Sequence, residues 1–337
     1  MSQVNLYDKF LDEWSEKWFQ YILDNSDEDW QYWYLSMNPN ITWKTVKSNH
    51  NKPWNYSNLS KNENITWKVV QENPKQNWAY YNLSFNSNIT WKTVRENPDK
   101  PWNYRNLSKN PNITWDIVQS NPDENWDYRF LSVNKNITWE IIQSNLDKKW
   151  NYESVAYPNV RENPNITWKI VQENSIKNLN CYFMSNHHAI TWQIVQNNPD
   201  ENWNYDLLSI NKNITWEIVC KNPDKPWNYQ YLSLNPNITW EIVKSNPDEN
   251  WNYDLLSENI NITWEIVESN LDKPWDFVLL SLNEMTLTRE NFIRSKFQEW
   301  FKRSALKEEL IAKLWHPKNF EKFKYYDPEM FENDDYK

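Results

Sequence analysis

The amino-acid sequence predicts an all-α protein, a right- or left-curving α-solenoid of short helix-turn-helix repeats of 24 residues, with a longer capping helix at the C-terminal end. Three observations predict this class. An Ile-Thr-Trp triplet recurs ten times, the triplets are regularly spaced, and capping residues stand before both helices of the unit. The unit at 235–258 reads NPNITWEIVKSNPDENWNYDLLSE.

Two series of tryptophans set the period. The triplet tryptophans stand at positions 43, 67, 91, 115, 139, 168, 192, 216, 240 and 264, so each step is 24 residues except one of 29. A second series follows eleven residues later, at 54, 78, 102, 126, 150, 203, 227, 251 and 275, with Leu179 in an irregular copy. The array therefore fills roughly residues 19 to 283.

The apolar pattern favours a helix over a strand, although Ile, Thr, Trp and Val have strand propensity. At about 100° per residue, the triplet tryptophan and the positions two and three residues after it share one side, while the polar positions one, four and five residues after it share the other. The alternative is a leucine-rich-repeat-like β-solenoid, because the period and a Leu-Ser-x-Asn motif also suit that fold.

Residues that suit helix ends mark both helices of the unit. Thr42 and Thr66 stand where an N-cap hydroxyl accepts a hydrogen bond from the backbone, and Ile41 and Val46 form the matching hydrophobic staple. N-cap candidates of the second helix are Asn55, Asn103, Asp127, Asn204, Asn228 and Asn252. Because the chain has no glycine, we expect asparagines to end the helices in the left-handed C′ conformation. These are Asn49, Asn73 and Asn97 after the first helix and Asn38, Asn62 and Asn110 after the second.

Helices of about two turns are unstable alone, so the repeats must stack into an open solenoid whose ends need caps. We expect an N-terminal capping helix at 1–18, about eleven repeats at 19–283, a C-terminal helical cap at 284–331 and an acidic tail at 332–337. The long helix of the cap is predicted at 288–315. Its basic cluster offers a partner contact as the alternative to capping.

Two adjacent units between residues 150 and 192 are irregular. One has five extra residues, and the next carries His187-His188-Ala189 where other units have Asn-Pro-Asn. A functional kink and a decayed repeat both explain this departure.

The composition excludes several classes of function. The absence of glycine argues against phosphate-binding loops and dinucleotide sites, whose backbones must approach phosphate closely. The net charge of −10 argues against nucleic acid as a partner. Two cysteines and four histidines are too few for a disulfide framework or a recurring zinc site. We therefore expect no cofactor and no metal.

The sequence also lacks features of membrane insertion and export. No apolar run reaches the roughly 18 residues of a membrane span, and the N-terminal residues lack the basic and then apolar pattern of a signal peptide. We expect a protein of the cytoplasm or of a virus particle that is not secreted. The nine Asn-Ile-Thr sequons are then structural rather than glycosylated.

The segment LSLNPNITWEIVKSNPDENWNYDLLS at 232–257 resembles the Asn/Trp-rich tandem repeats encoded by large DNA viruses of amoebae and other protists. The similarity covers about four fifths of the chain, and the end of the chain, LWHPKNFEKFKYYDPEMFE, is similar to the ends of other such viral proteins. The resemblance implies a viral protein made in the host cytoplasm, and it implies no catalytic residue.

No catalytic constellation can be assembled from the sequence. His187, His188 and Cys181 give too weak a pattern for a metal site, and we interpret them as loop and packing residues. Carboxylate pairs such as Asp123 and Glu124 recur in turns, where solvation explains them. We predict that the protein is not an enzyme.

Candidate partner-binding residues come from two positions that vary between otherwise constant repeats. Three residues after the second tryptophan stand Tyr81, Arg105, Arg129, Asp206, Gln230 and Asp254. Directly after the triplet tryptophan stand Lys44, Lys68 and Lys92 in early units and Glu217, Glu241 and Glu265 in late units. This gradient predicts a surface for an elongated partner or for head-to-tail self-association.

The leading hypothesis is a non-enzymatic repeat scaffold for protein–protein interaction, either a viral adaptor or a virion-associated protein. The alternative is a carbohydrate- or glycan-binding repeat protein, because Trp and Asn can stack on sugars and hydrogen-bond to them. Exposure of the indoles distinguishes the two hypotheses, since glycan binding needs many accessible tryptophans.

Overall fold

A computed structural model describes residues 6–151, 163–173 and 181–303. All regular elements of this part of the chain are helices, and it contains no β-strand. The predicted helical repeat is thus confirmed, and the β-solenoid alternative is wrong. Residues 152–162 and 174–180 of the irregular region, with Leu179, lie outside the described residues.

Each repeat consists of a first helix, a turn and a second helix. The first helices are Trp43–Ser48, Trp67–Glu72, Trp91–Glu96, Trp115–Ser120, Trp139–Gln143, Trp168–Glu173, Trp192–Asn197, Trp216–Lys221, Trp240–Ser245 and Trp264–Glu268. The second helices are Tyr32–Leu35, Tyr56–Leu59, Tyr80–Leu83, Tyr104–Lys109, Tyr128–Leu131, Cys181–Met184, Tyr205–Ile210, Tyr229–Leu232, Tyr253–Glu258 and Phe277–Leu280. A longer N-terminal helix, Leu6–Asp24, and a C-terminal helix, Thr286–Arg303, flank them.

The predicted N-caps are confirmed for both helices of the unit. Thr90 accepts a hydrogen bond from the backbone N–H of Thr93 at 3.2 Å, and the Asn103 side chain accepts one from Asn106 at 2.9 Å. The third repeat departs from the rule, because Ala79 stands at the N-cap of its second helix and offers no side-chain acceptor.

The predicted left-handed helix ends are wrong. Asn97 ends its helix with φ −133°, and Asn110 ends the next one with φ −63°. Met285 is the residue with positive φ in the described part of the chain. The reason is that the side-chain amide of Asn97 donates to the carbonyl of Thr93 at 2.8 Å, so an open carbonyl is satisfied without a left-handed residue.

Indole rings join consecutive repeats. Trp67 of one repeat packs against Trp102 of the next at a centroid distance of 5.5 Å, and Tyr80 packs edge-on against the same indole at 5.3 Å. The Trp102 indole N–H donates to the Asn97 carbonyl at 2.8 Å, which fixes the ring between the repeats. The same tryptophan pair recurs as Trp43–Trp78, Trp91–Trp126, Trp115–Trp150, Trp168–Trp203, Trp192–Trp227, Trp216–Trp251 and Trp240–Trp275.

Replacing Trp102 with Phe keeps an aromatic ring but removes the indole N–H. We expect a loss of about 1–2 kcal/mol in the free energy of unfolding, from one hydrogen bond and a poorer stack. Urea denaturation measures it. Trp33→Phe is the control, because Trp33 is exposed and should tolerate the change; equal losses at both positions would contradict the packing role of Trp102.

A buried asparagine ladder also joins the repeats. The Asn110 side-chain amide donates toward the carbonyls of Ser84, Asn86 and Ile89 in the preceding repeat, at 3.0, 3.0 and 3.2 Å. Its side-chain oxygen accepts from the N–H of Asn112 at 2.8 Å. The ladder positions are Asn38, Asn62, Asn86, Asn110, Asn134, Asn163, His187, Asn211, Asn235, Asn259 and Asn283.

The asparagine of the Asn-Ile-Thr triplet forms a second, parallel ladder. The Asn112 amide donates to the carbonyls of Ser87 and Ile89 at 2.6 and 3.1 Å. The amide nitrogen that a glycan would need is thus committed to the neighbouring repeat, which supports the structural interpretation of the sequons.

The two ends of the array meet and close it into a ring. Asn38 in the first repeat donates to the carbonyls of Ser281 and Asn283 in the last repeat, both at 3.0 Å. The Gln31 N–H donates to the Ser281 hydroxyl at 3.1 Å, as the Asn103 N–H does to Ser84 inside the array. The expected open solenoid is therefore corrected: the first repeat occupies the position of the repeat after the last one.

The N-terminal helix completes the ring, because its last turns serve as the first helix of the first repeat. Phe19 packs against Trp54 at 5.3 Å, in the place of a triplet tryptophan. The Asn25 amide donates to the Tyr21 carbonyl, and the Trp30 indole N–H donates to the Asn25 carbonyl at 2.9 Å, as in every regular unit. The helix thus runs beyond the predicted cap boundary at residue 18 and into the array.

The two terminal helices pack against each other across the closure. Phe10 meets Phe297 at 4.9 Å and Trp14 meets Phe292 at 5.5 Å, so the helices are antiparallel. Lys296, from the predicted basic cluster, pairs with Glu13 at 3.0 Å. The part of the predicted C-terminal cap after Arg303 and the predicted tail at 332–337 lie outside the described residues.

Candidate functional site

Ring closure identifies the inner circumference of the array. Equivalent atoms of a ring lie closer together the nearer they are to its axis. Among the short helices of the array, consecutive second helices such as Tyr104–Lys109 and Tyr128–Leu131 bring the most Cα atoms within 8 Å of one another, and the short first helices approach one another less, although most of them are at least as long. The exception is the N-terminal helix Leu6–Asp24, which also lies close to Trp43–Ser48. We therefore assign the second helices to the concave inner side, the surface that solenoids use for binding.

The predicted residues of the second helices form a row along this inner side. Tyr81 is 55% exposed, and its carbonyl accepts a hydrogen bond from the Asn106 amide of the next repeat at 2.7 Å. The other predicted members of this row, Arg105, Arg129, Asp206, Gln230 and Asp254, are also exposed. The Arg105 guanidinium lies 4.4 Å from the Phe130 ring centroid, in the next repeat.

The charges of the row change sign around the ring. In the third to fifth repeats, the six-residue segments that begin with the second helices, at 80–85, 104–109 and 128–133, carry Arg105, Lys109 and Arg129 and no carboxylate, and the N-cap Asp127 just before the last segment pairs with Arg129 at 2.6 Å. Those of the eighth to tenth repeats, at 205–210, 229–234 and 253–258, carry Asp206, Asp254 and Glu258 and no cation. With eleven repeats, these two groups lie on opposite sides of the ring. We call them the basic arc and the acidic arc.

Two carboxyl groups show the electrostatics of the arcs. Partial burial raises the pKa of Asp127, but hydrogen bonds from Arg129 outweigh it and hold the pKa below its usual range. In the acidic arc, burial and then repulsion from Asp276 raise the pKa of Glu258. Asp206 accepts a hydrogen bond from the Asn228 amide at 2.8 Å.

The predicted residues of the first helices form a separate row on the outer side. Lys44 pairs with Glu16 of the N-terminal helix at 2.7 Å, and this hydrogen bond raises the pKa of Lys44. Lys68 and Lys92 pair with glutamates of their own helices, at 3.8 and 3.7 Å. Exposed pairs of this kind contribute little to stability. The glutamates of this row, Glu217, Glu241 and Glu265, are exposed as well.

Ring closure changes the interpretation of the predicted charge gradient. The last repeat, with Glu265, is followed around the ring by the first repeat and then by Lys44. The lysine and glutamate segments are therefore neighbours on a continuous rim and not opposite ends of a rod. Within the described residues, each stacking end of the array covers the other.

His187 lies in the turn after the second helix Cys181–Met184 and takes the place of a ladder asparagine there, a role that the sequence does not indicate. Its Nδ1 accepts the N–H of Ala189 at 3.1 Å and its Nε2 lies 3.3 Å from the Asn163 carbonyl, so the ring replaces both functions of a ladder asparagine. This pattern requires a neutral imidazole with the proton on Nε2. Burial, with repulsion from His188, lowers the pKa of His187 to about 4, although the Asn163 carbonyl opposes the shift.

His187→Asn should therefore stabilise the protein at acidic pH. The folded state holds the His187 pKa below its ordinary value near 6.5, so the stability that the neutral ring provides is present above pH 6.5 and falls as the pH drops toward 4. Thermal unfolding from pH 7 to pH 4 measures this slope, and His187→Asn should flatten it. His50→Asn, at an exposed turn, is the control; an unchanged slope in His187→Asn would contradict the assignment.

The described residues contain no group of three or more His, Cys, Asp or Glu arranged to hold a metal ion. Cys181 donates to a Glu201 carboxylate oxygen at 3.1 Å, and burial, followed by that hydrogen bond, raises the pKa of its thiol to about 12. Such a thiol is protonated at neutral pH and a poor nucleophile.

The tryptophans are held mainly between repeats. Among the tryptophans in the described chain, Trp33 is the exposed one, at 54%, and the others are buried or half-buried. Many of the half-buried indoles also donate their N–H to a backbone carbonyl, as Trp78 and Trp203 do at 2.9 and 2.8 Å. Most indoles of the described chain are therefore packed between repeats, with at most part of the ring accessible.

No described helix is both long and apolar enough to cross a membrane. Comparisons with protein-family models, with curated proteins and with solved structures find no match for this chain.

Proposed function

We propose that this protein is a non-enzymatic, ring-shaped scaffold that binds a protein partner along the row of second-helix residues. Its resemblance to repeat proteins of large DNA viruses supports a role as an adaptor or a virion-associated protein. The binding row includes Tyr81, Arg105, Arg129, Asp206, Gln230 and Asp254.

The observation that carries this proposal is the contrast between a fixed framework and a variable inner row. Ladder asparagines, N-caps and indoles keep the same contacts from repeat to repeat, as Asn86 and Asn110 do. At the exposed position three residues after the second tryptophan, the contacts differ from repeat to repeat, as Arg129 pairs with Asp127 whereas Asp206 accepts from Asn228, and the side chain changes from aromatic to cationic to anionic. A fixed scaffold with one varying exposed row is the organisation of protein-binding solenoids.

Site-specific photo-cross-linking tests this function. The full chain carries a benzophenone amino acid at Tyr81 or, as a control, at Lys68 on the outer row, and is expressed in infected host cells. We expect discrete protein adducts from position 81 that resist nuclease and glycosidase treatment, and few from position 68. Equal adducts from both positions, or adducts that contain only nucleic acid or glycan, would contradict the proposal.

A further inference from the structure

The basic arc is a continuous strip of rings and cations across three repeats. The Lys109 ammonium lies 5.6 Å from the ring centroid of Phe85 in the preceding repeat, and Arg105 lies over Phe130 in the following one. Tyr81 and Phe85 remain 55% and 42% exposed. The strip thus offers apolar surface and positive charge side by side.

We propose that the basic arc binds a short, extended polypeptide segment in which acidic and apolar residues alternate. This inference rests on the proposed protein-binding function and specifies the chemistry of the partner. Carboxylates of the segment would pair with Arg105 and Lys109, and with Arg129 in competition with Asp127, which already pairs with Arg129 at 2.6 Å; its apolar side chains would cover Tyr81 and Phe85. Arginine suits this role because its planar guanidinium binds a carboxylate through two hydrogen bonds.

The charge distribution also fixes where the segment binds. The acidic arc, on the opposite side of the ring, carries Asp206, Asp254 and Glu258 and repels an acidic segment. Complementary charge at one side and like charge at the other select the binding position and speed association, an effect that salt weakens.

The same distribution favours a polypeptide over single-stranded nucleic acid. Nucleic-acid binding proteins combine aromatic platforms with a positively charged groove that follows the backbone. Here two neighbouring second helices carry cations, and farther around the ring the row becomes acidic. A phosphate chain that continued along the row would be repelled, whereas a segment of a few residues stays within the basic arc.

Selection from a random 12-residue peptide library on the immobilised full-length protein tests the inference. Parallel selections use the double variant R105E/R129E and the matched control K68E/K92E, which makes the same charge change on the outer row. We expect wild type and K68E/K92E to enrich peptides rich in Asp or Glu with interspersed apolar residues. Synthetic copies of those peptides should bind R105E/R129E at least about tenfold more weakly, and all binding should weaken as salt rises.

Circular dichroism establishes that each variant is folded, and Lys109→Glu provides a second test if R105E/R129E is not. Enriched peptides without acidic bias, or peptides that bind R105E/R129E as well as wild type, would overturn this inference and leave the protein-binding function intact. If a fluorescein-labelled oligothymidylate displaced the peptides and bound more tightly than they do, the ligand of the basic arc would be single-stranded nucleic acid and this inference would be overturned. Failure to enrich any peptide, together with no protein adducts from position 81, would reject both proposals.

Discussion

A circularly permuted chain, with Lys337 joined to Met1 and new ends between Asp123 and Glu124, should fold with a stability within about 1 kcal/mol of the native chain. The reason is that the first and last helices of the described chain, Leu6–Asp24 and Thr286–Arg303, already pack against each other, since Phe10 meets Phe297. The new ends lie in an exposed turn between a first and a second helix. Urea denaturation followed by tryptophan fluorescence measures the stability and the cooperativity.

Two controls separate ring closure from local damage at the new ends. A native-order chain cleaved at the same turn after folding shows the cost of the break alone. A chain that lacks residues 1–29 loses the first helix of the first repeat, with Phe19 and Asn25, and should lose on the order of 5 kcal/mol or unfold. An open array would show the reverse ranking, with the permutant badly damaged and the truncated chain only slightly weakened.

Asn110→Leu should be among the most damaging single substitutions, at about 4 kcal/mol in the free energy of unfolding. The change leaves the buried carbonyl of Ser84 and the partly buried N–H of Asn112 without their partner, and each such group costs about 1–3 kcal/mol, while the Asn86 carbonyl loses one of two donors and keeps the N–H of Ile89. Chemical denaturation measures the loss. Asn125→Leu, at an exposed turn, is the matched control and should change stability by less than about 0.5 kcal/mol.

Asn110→Asp tests the chemistry of the ladder independently of side-chain size. A carboxylate at this position faces carbonyl oxygens, so the folded state should raise the pKa of the new carboxyl above its ordinary value of about 3.9. The variant is then most damaged at neutral pH and recovers as the pH falls and the carboxyl becomes a donor. If Asn110→Asp instead matched wild type at pH 7, the amide would not be the essential donor.

Much of the fold could be predicted from the sequence because local chemistry determines it. N-caps such as Thr90 and Asn103 depend on a hydrogen bond three residues away along the chain. The assignment of helices depends on apolar residues that share one face of the segment. The same local reasoning failed for the asparagines after the helices, because their side chains donate to backbone carbonyls that a sequence pattern does not locate. The Asn97 amide donates to a carbonyl one turn back in its own helix, and the Asn110 amide donates to carbonyls of the neighbouring repeat.

Ring closure could not be predicted, because it depends on the small rotation from each repeat to the next, summed over the whole array. A signal for it was nevertheless present. Phe19, Ile22, Asn25 and Trp30 reproduce the spacing of Trp43, Val46, Asn49 and Trp54, so the first helix of a repeat lies within what the sequence suggests is a separate cap.

Part of the candidate site could likewise be predicted from the sequence, and part could not. Exposure of Tyr81 and Arg105 follows from their position on a helix with one apolar face, and the structure shows it. Which side of the array they occupy is decided by closure and not by the helix. Their role in binding stays a prediction. The ladder role of His187 was missed because a histidine in place of asparagine looks irregular until both ring nitrogens are placed.

The joint between Asn38 and Ser281 has a consequence for how such a gene can evolve. A linear array lengthens or shortens by whole-unit duplication or deletion at little cost, since each new neighbour makes the same contacts. A closed ring has no such freedom, because adding or removing one repeat would change the angle between consecutive repeats at every contact. The geometry of the ring should therefore keep the number of repeats constant, while individual exposed residues remain free to change.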